Sequence, residues 1–433
     1  MVSITIYRGT HQIGGGVTEI ETDTNRIIID FGSNLPDMKN ENSFSDDEII
    51  EKVFGNDRKK CDAVLFSHYH NDHFGMYKKV PNDVKMFIGK TAKKISLILT
   101  ERTDFVTEEK GYEKIKNMYT YIPREILEFG DIQVIPLVVD HSALDSYMFL
   151  INAQGKQILF SGDFRNHGIV SENNRFYKMI NSYLDKNIDI LITEGTMLSR
   201  KKEIENNDIV KSEQELQNRA KEIFKRNKYN FVLVSSTNID SIMSFYNAIP
   251  NDKAFVCDEY QYLVINTAIK DKGKYYSKYR KRCINGNELP TYILGNMFDL
   301  GRADRCYPTD LEKLKEKGFV AFVRYTSEKF KDFINEFEKE NSLIIYSLWK
   351  GYLSGANKKL KLIDFIGDYK KINLHTSGHA YPETIKNLIE HIQPKVIIPM
   401  HTEMADEFYN FDEFKKFKDK INVLGDGEKY ILN

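Results

Sequence analysis

Six consecutive residues, His68-Tyr69-His70-Asn71-Asp72-His73, leave the apolar run Ala63 to Ser67 and constrain this chain more than anything else in it. Four of the six carry side chains that ligate metals. Residues two apart on a chain leaving a strand project to the same side, so His68 and His70 can address one ion. Asp72 and His73, past the turn, address a neighbouring one. Structural zinc sites typically use cysteine and close all four positions, whereas histidine and aspartate leave room for water and substrate, as a catalytic centre requires. The four cysteines, Cys61, Cys257, Cys283 and Cys306, form no C-x-x-C spacing and are read as reduced core thiols.

The chain around this hexapeptide has 433 residues, more than one ordinary core needs, and predicts two compact domains or one domain with a large insertion. Hydrophobic residues at 41% supply a core and exclude disorder for the bulk of the chain. No apolar run approaches the roughly 20 residues that span a bilayer, and Met1 to Gly9 alternates like a strand, so a soluble, cytoplasmic protein is expected. Short β-rich runs come first: Val2 to Tyr7, Val17 to Glu21, Arg26 to Phe31 and Ala63 to Ser67. A helical region from about Thr91 to Met118 follows, then strands at Ile132 to Val139, Ser146 to Ile151, Gln157 to Ser161 and Ile188 to Thr193. Near Lys201 the rhythm changes. Buried strands such as Phe231 to Ser235, Ala254 to Cys257, Phe319 to Arg324 and Leu343 to Tyr346 alternate with helices such as Ile239 to Ala248, the pattern of βαβ units with a parallel sheet. The first style resumes with Ile372 to His375, a helix from Pro382 to His391 and a strand at Val396 to Met400. The expected division is 1–200, 201–370 and a return segment, 371–433.

H-x-H-x-D-H after a strand resembles the signature of the metallo-β-lactamase superfamily, and the later elements of that signature occur in order. His141 stands in Val138-Val139-Asp140-His141-Ser142, Asp163 in Phe160-Ser161-Gly162-Asp163-Phe164 and His401 in Ile398-Pro399-Met400-His401, each after an apolar run. The resemblance implies one site of His68, His70 and His141, a second of Asp72, His73 and His401, and Asp163 bridging them. Glu194 in Thr193-Glu194-Gly195-Thr196 and His379 in Ser377-Gly378-His379-Ala380 resemble motifs A and B of the β-CASP group of nucleic-acid-processing nucleases, with His401 as motif C. The ribonuclease J-like branch is the nearest flavour, sharing S-G-H-A and the ending His401-Thr402-Glu403.

What this resemblance implies is an αββα sandwich of metallo-β-lactamase type carrying an inserted α/β β-CASP domain as a lid over the active-site cleft. The implied activity is phosphodiester cleavage of RNA, with single-stranded DNA as the alternative, by a hydroxide that two zinc ions activate; manganese is an alternative occupant. Asp72, His379 and Glu194 are the catalytic candidates: His379 to contact the scissile phosphate or protonate the leaving 3'-oxygen, Glu194 to orient His379. A homodimer is the assembly considered.

Two departures are visible. Ser347-Leu348-Trp349-Lys350-Gly351-Tyr352 stands where ribonuclease J carries a G-S-Q-G-E type segment, and motif A has Glu where that branch commonly has Asp. Asp30 matches a superfamily aspartate that supports the ligand loops and is read as structural. Gly14-Gly15-Gly16 is read as a turn, and His11, His167, His375 and His391 as ordinary polar residues. A net charge of -1 gives no global attraction to nucleic acid, so basic residues must be concentrated locally. Lys270 to Arg282, where lysines and arginines interleave with Tyr275, Tyr276 and Tyr279, is the candidate contact; a solvated face is the alternative. A lactamase-fold hydrolase of a small ester, thioester, lactam or phosphodiester, and an RNA-binding protein without catalysis, are the competing readings.

Overall fold

The computed structural model describes residues 1–35, 43–56, 58–107, 111–200, 203, 209–272, 291–294, 308–354 and 358–432, which divide into two compact units. The first comprises residues 1–166, 170–202 and 378–433; the second comprises 167–169 and 203–377.

Two sheets form the centre of the first unit. One has seven strands in the order β19-β1-β2-β3-β4-β5-β6: β1 (Val2–Arg8), β2 (Val17–Glu21), β3 (Arg26–Ile29), β4 (Ala63–Leu65), β5 (Lys85–Ile88), β6 (Tyr119–Thr120) and β19 (Lys429–Leu432). The other has six, β18-β11-β10-β9-β8-β7: β7 (Leu127–Phe129), β8 (Ile132–Val139), β9 (Ser146–Ala153), β10 (Lys156–Phe160), β11 (Ile190–Glu194) and β18 (Val396–Met400). The period of two along a strand sorts its apolar residues between two cores. Ile4 and Ile6, Ile27 and Ile29, Phe149 and Ile151, and Ile190 and Ile192 meet between the sheets. Met148, Leu150, Leu159 and Leu191 face the other way, onto Phe176 and Ile180 of the helix Arg175–Tyr183 and Ile385, Leu388 and Ile389 of the helix Pro382–Ile392. Pro382 sits in the first turn of its helix, where a missing N–H costs nothing.

The second unit holds a six-stranded parallel sheet in the order β14-β13-β15-β12-β16-β17: β12 (Tyr229–Val234), β13 (Ala254–Asp258), β14 (Thr291–Leu294), β15 (Phe319–Val323), β16 (Ser342–Ser347) and β17 (Lys371–Asn373). All residues of β12, β13, β15 and β16 are buried, as parallel strands covered on both faces must be.

One element differs from the sequence reading. β17 pairs with β16, Ile345 opposite Ile372, so residues 371–377 belong to the second unit rather than the return segment. Hydrogen bonding decides this, and a three-residue strand carries too little pattern to announce its partner. The helical region from Thr91 holds the helices Lys90–Thr107 and Gly111–Lys116, as expected, and the edge strand β6 follows. Among the described residues no helix is long and apolar enough to cross a membrane. Cys61 and Cys257 are buried free thiols; Cys283 and Cys306 lie outside the described residues, as does all of the basic stretch after Lys272.

Candidate metal centre

Strand direction gathers the site. β10, β11 and β18 are adjacent and parallel, so their carboxyl ends deliver Asp163, Glu194 and His401 to one edge of the sheet. β8, antiparallel to β9 as β9 is to β10, runs the same way and ends at Asp140-His141. From the other sheet, β4 leads into Ser67 and the His68 to His73 loop. The seven residues that the signature singles out therefore come together within the first unit. Ligating atoms of His68, His70 and His141 lie within 4.8 Å of one another, as do those of Asp72, His73 and His401, and those of His68, His73 and Asp163.

Hydrogen bonds fix how the imidazoles present themselves. Asp30 accepts from Ser67 Oγ at 2.8 Å and from His73 Nδ1 at 2.7 Å. Because Ser67 spends its proton on Asp30, His68 Nδ1, 3.0 Å from Ser67 Oγ, must be the donor there. Thr196 Oγ1 donates to the His401 carbonyl, so His401 Nδ1 donates to Thr196 Oγ1 at 2.8 Å. His141 Nδ1 donates to the Gly378 carbonyl at 2.5 Å. Each Nδ1–H is thus committed, and the Nε2 lone pairs of His68, His73, His141 and His401 point inward.

Such an arrangement asks for cations. His73 Nε2 faces His401 Nε2 at 3.2 Å, a contact between lone pairs that a positive charge reconciles, and His141 Nε2 lies 3.2 Å from His70 Nδ1. Among the described residues, His68 Nε2 and Asp163 Oδ1 are buried with no hydrogen-bond partner. The donor set of imidazoles and carboxylates suits zinc, which fits these residues. Burial, then the neighbouring imidazoles, hold His68 well below the usual imidazole range, and burial takes His70 down to about 4. Burial works against charge on His73 too, but the carboxylates of Asp163, Asp30 and Asp72 outweigh it and raise its pKa; they draw positive charge to this point.

Asp163 occupies the middle. Its Oδ2 lies 3.2 Å from His73 Nε2, 3.8 Å from His68 Nε2 and 3.9 Å from His141 Nε2, within reach of both ligand groups. Glu194 joins this centre to His379: its Oε2 accepts from His379 Nδ1 at 3.0 Å, and its Oε1 accepts from the Phe164 amide at 2.9 Å. One carboxylate thereby fixes both the Asp163 loop and the His379 ring. Although burial opposes it, Glu194 and then Asp163 raise the pKa of His379.

The backbone is bent at two of these positions. Asp30 has φ 59° and His401 φ 51°, left-handed values that cost an ordinary residue of order 1–3 kcal/mol and persist where surroundings impose them. The His401 amide is held by the Gly9 carbonyl at 2.6 Å.

Sequence reasoning left unnamed the residues that orient the ligands: Ser67, Thr196 and the Gly378 carbonyl, together with the donors that Asp30 serves. It also passed over a buried ion pair. Arg165 Nε donates to Asp140 Oδ1 at 2.9 Å, both side chains fully buried, and the Arg165 amide donates to the Asp140 carbonyl at 2.7 Å. This pair ties the His141 loop to the Asp163 loop. Asp140→Ala removes this carboxylate from the buried guanidinium and is expected to cost about 3–5 kcal/mol in urea unfolding; a loss below about 1 kcal/mol would show that the pair is not the tie. His167 Nε2 donates to the Ser377 carbonyl at 2.9 Å in the second unit, and His11 faces Asp406 at 3.4 Å. Neither belongs to the cluster.

Comparison with known proteins places these features in context. The family model described as "Metallo-beta-lactamase superfamily" matches residues 17–196, and that described as "Zn-dependent metallo-hydrolase RNA specificity domain" matches residues 369–410. A protein named Ribonuclease J from Helicobacter pylori is 22% identical over 417 residues, covering 93% of this chain and 56% of its own length. An RNase J-like protein from Methanocaldococcus jannaschii is 31% identical over 205 residues, 45% of this chain and 43% of the relative. The chain thus spans about half the length of the curated relatives it matches. A solved structure of a protein of unknown function from Enterococcus faecalis V583 shares the fold at a TM-score of 0.75 and 20% identity, covering 100% of both chains.

Proposed function

We propose that this chain, whose residues 17–196 match the metallo-β-lactamase superfamily model and which is similar to proteins named Ribonuclease J, is a metal-dependent phosphodiesterase that hydrolyses RNA, with single-stranded DNA the lesser substrate. The observation that carries the reading is the pairing of Glu194 with His379, 3.0 Å apart, beside a metal-ligand cluster in one unit.

Two zinc ions, or manganese, held by His68, His70 and His141 on one side and Asp72, His73 and His401 on the other, would supply Lewis acidity and an activated water for in-line displacement at phosphorus. Asp163 lies between the two ligand groups and serves both. Asp72 keeps 14% of its side chain exposed, so its carboxylate can also accept a hydrogen bond from an entering water. Glu194 fixes His379 Nδ1–H, which leaves Nε2 for the scissile phosphate and for the proton that the leaving 3'-oxygen needs.

The test is hydrolysis of end-labelled single-stranded RNA and DNA by zinc- or manganese-loaded protein, read as product ladders. His379→Ala is expected to lower the RNA rate by about 100-fold or more while metal content measured by elemental analysis stays at the wild-type value, since general acids contribute roughly 10²–10⁴. If metal-replete wild type cuts neither polymer, the reading fails and small esters and phosphodiesters become the substrates to assay.

A further inference from the structure

We propose that Trp349, with Tyr352 and the lysines around them, is a stacking platform for a nucleobase of single-stranded RNA. The proposal rests on the nucleic-acid reading above and names a binding site in the second unit for that substrate.

Topology singles out the place. β12 and β16 are neighbours, Val234 opposite Ser347, and the chain leaves them in opposite directions: from β12 through the helix Ile239–Ala248 to β13, and from β16 through the helix Leu360–Ile366 to β17 on the other side. Ligands of open parallel sheets bind outside the carboxyl ends of strands at such a divergence. At these two strand ends, Ser236 Oγ and Ser347 Oγ are buried without a hydrogen-bond partner among the described residues.

Immediately beyond Ser347 comes the single tryptophan of the chain. Its ring centroid lies 5.4 Å from that of Tyr352 at an interplanar angle of 82°. The loop is braced: Tyr346 Oη donates to the Trp349 carbonyl at 2.7 Å, and the Lys359 amide donates to the Tyr352 carbonyl at 2.9 Å. The indole lies over Gly351 so closely that a Cβ there would stand 2.4 Å from its Cη2, so only glycine permits this ring position. Trp349 and Tyr352 stay partly exposed.

Charge completes the site. From Ser347 to Lys361 the sequence has four lysines and no acidic residue, in a chain whose net charge is -1. Lys359 Nζ lies 5.6 Å from the Tyr352 centroid and Lys371 Nζ 5.3 Å from that of Tyr346. Burial lowers the pKa of Lys371, and the Lys350 charge lowers it further. Aromatic rings among lysines take a base on a ring and its phosphates on the cations, a mode selective for single strands because only unpaired bases offer a face.

Since Trp349 is the sole tryptophan, its emission reports the site directly. Zinc-loaded full chain is titrated with a phosphorothioate-linked single-stranded oligoadenylate of about 12 nucleotides, a length within single-strand site sizes. Saturable quenching is expected, weakened by salt, while duplex RNA of equal length quenches far less. By polarisation of labelled oligomer, Trp349→Ala should bind about tenfold more weakly and Trp349→Phe nearly as wild type; Gly351→Ala, which displaces the ring, should weaken binding with Trp349 retained. RNA that binds without moving Trp349 emission, or with equal affinity to Trp349→Ala, overturns the platform and leaves the nuclease reading intact. Absence of both RNA binding and RNA cleavage overturns both. Emission that responds only to protein concentration overturns it in favour of a surface covered by a second copy.

Discussion

Asp163→Ala protein is expected to fold, to hold less than half the metal of wild type and to lose RNA cleavage by well over about 100-fold. Loss of an outer hydrogen-bond partner of a metal ligand costs roughly 10–100-fold, and Asp163 is no outer partner. Its Oδ2 stands 3.2 Å from His73 Nε2 on one side and 3.9 Å from His141 Nε2 on the other, and its Oδ1 is 3.8 Å from His401 Nδ1. Burial works against charge on this carboxylate, yet the His401, His73 and His379 imidazoles keep it well below the usual range, ionised and ready to neutralise cations. Removing it takes the shared negative charge from both ligand groups while cutting no backbone hydrogen bond. Circular dichroism and elemental analysis alongside the cleavage assay check this. A variant with full metal content and near-normal rate would show that Asp163 does not bridge.

Gly32→Ala is the second large effect, from a residue with no chemistry of its own. The loop after β3 lies against the metal loop, with hydrogen bonds from the Phe31 amide to the His73 carbonyl at 2.8 Å and from the Ser33 amide to the Asn71 carbonyl at 3.1 Å. A Cβ on Gly32 would stand 1.7 Å from the Asp72 carbonyl oxygen and 2.8 Å from the His73 nitrogen. Those atoms are backbone and cannot rotate aside, so the Asp72-His73 turn must move by more than an ångström. A misplacement of about 1 Å can cost about 100-fold in rate, and overpacking typically adds 1–3 kcal/mol of destabilisation. The expected result is an activity loss of that order with a lowered unfolding midpoint. Wild-type activity at an unchanged midpoint would mean that the two loops separate freely.

How much of this was legible in the residues differs by kind of evidence. The long strands announce themselves: Ile132 to Val139 and Val396 to Met400 in the sequence are β8 and β18 in the structure. β5 escaped because Lys85 interrupts its alternation and the helix at Lys90 begins two residues after it. The candidate ligands were readable because they follow apolar runs, His68 to His73 as a block after Ala63 to Ser67, and His141, Asp163 and His401 each after its own. Of their orienting partners only Asp30 was read, through the resemblance; Thr196 meets His401 across 205 residues, and no local pattern encodes such a distance. Lys270 to Arg282 drew attention by density, although all of it after Lys272 lies outside the described residues; the sparser lysines from Lys350 to Lys361 matter through the rings that the fold sets among them.

The return of residues 378–432 to the first unit has a temporal consequence. β18 completes one sheet beside β11, β19 completes the other beside β1, and His379 and His401 arrive with them. His73 and His401 are 328 residues apart. At about 5–20 residues per second of synthesis, His73 waits on the order of 15–65 s on the ribosome for the histidine it will face. Through that interval the second unit can close around its own sheet, while the first lacks an edge strand in each of its sheets and two of the histidines around Asp163. A nascent chain therefore holds an incomplete ligand cluster until His401 has emerged.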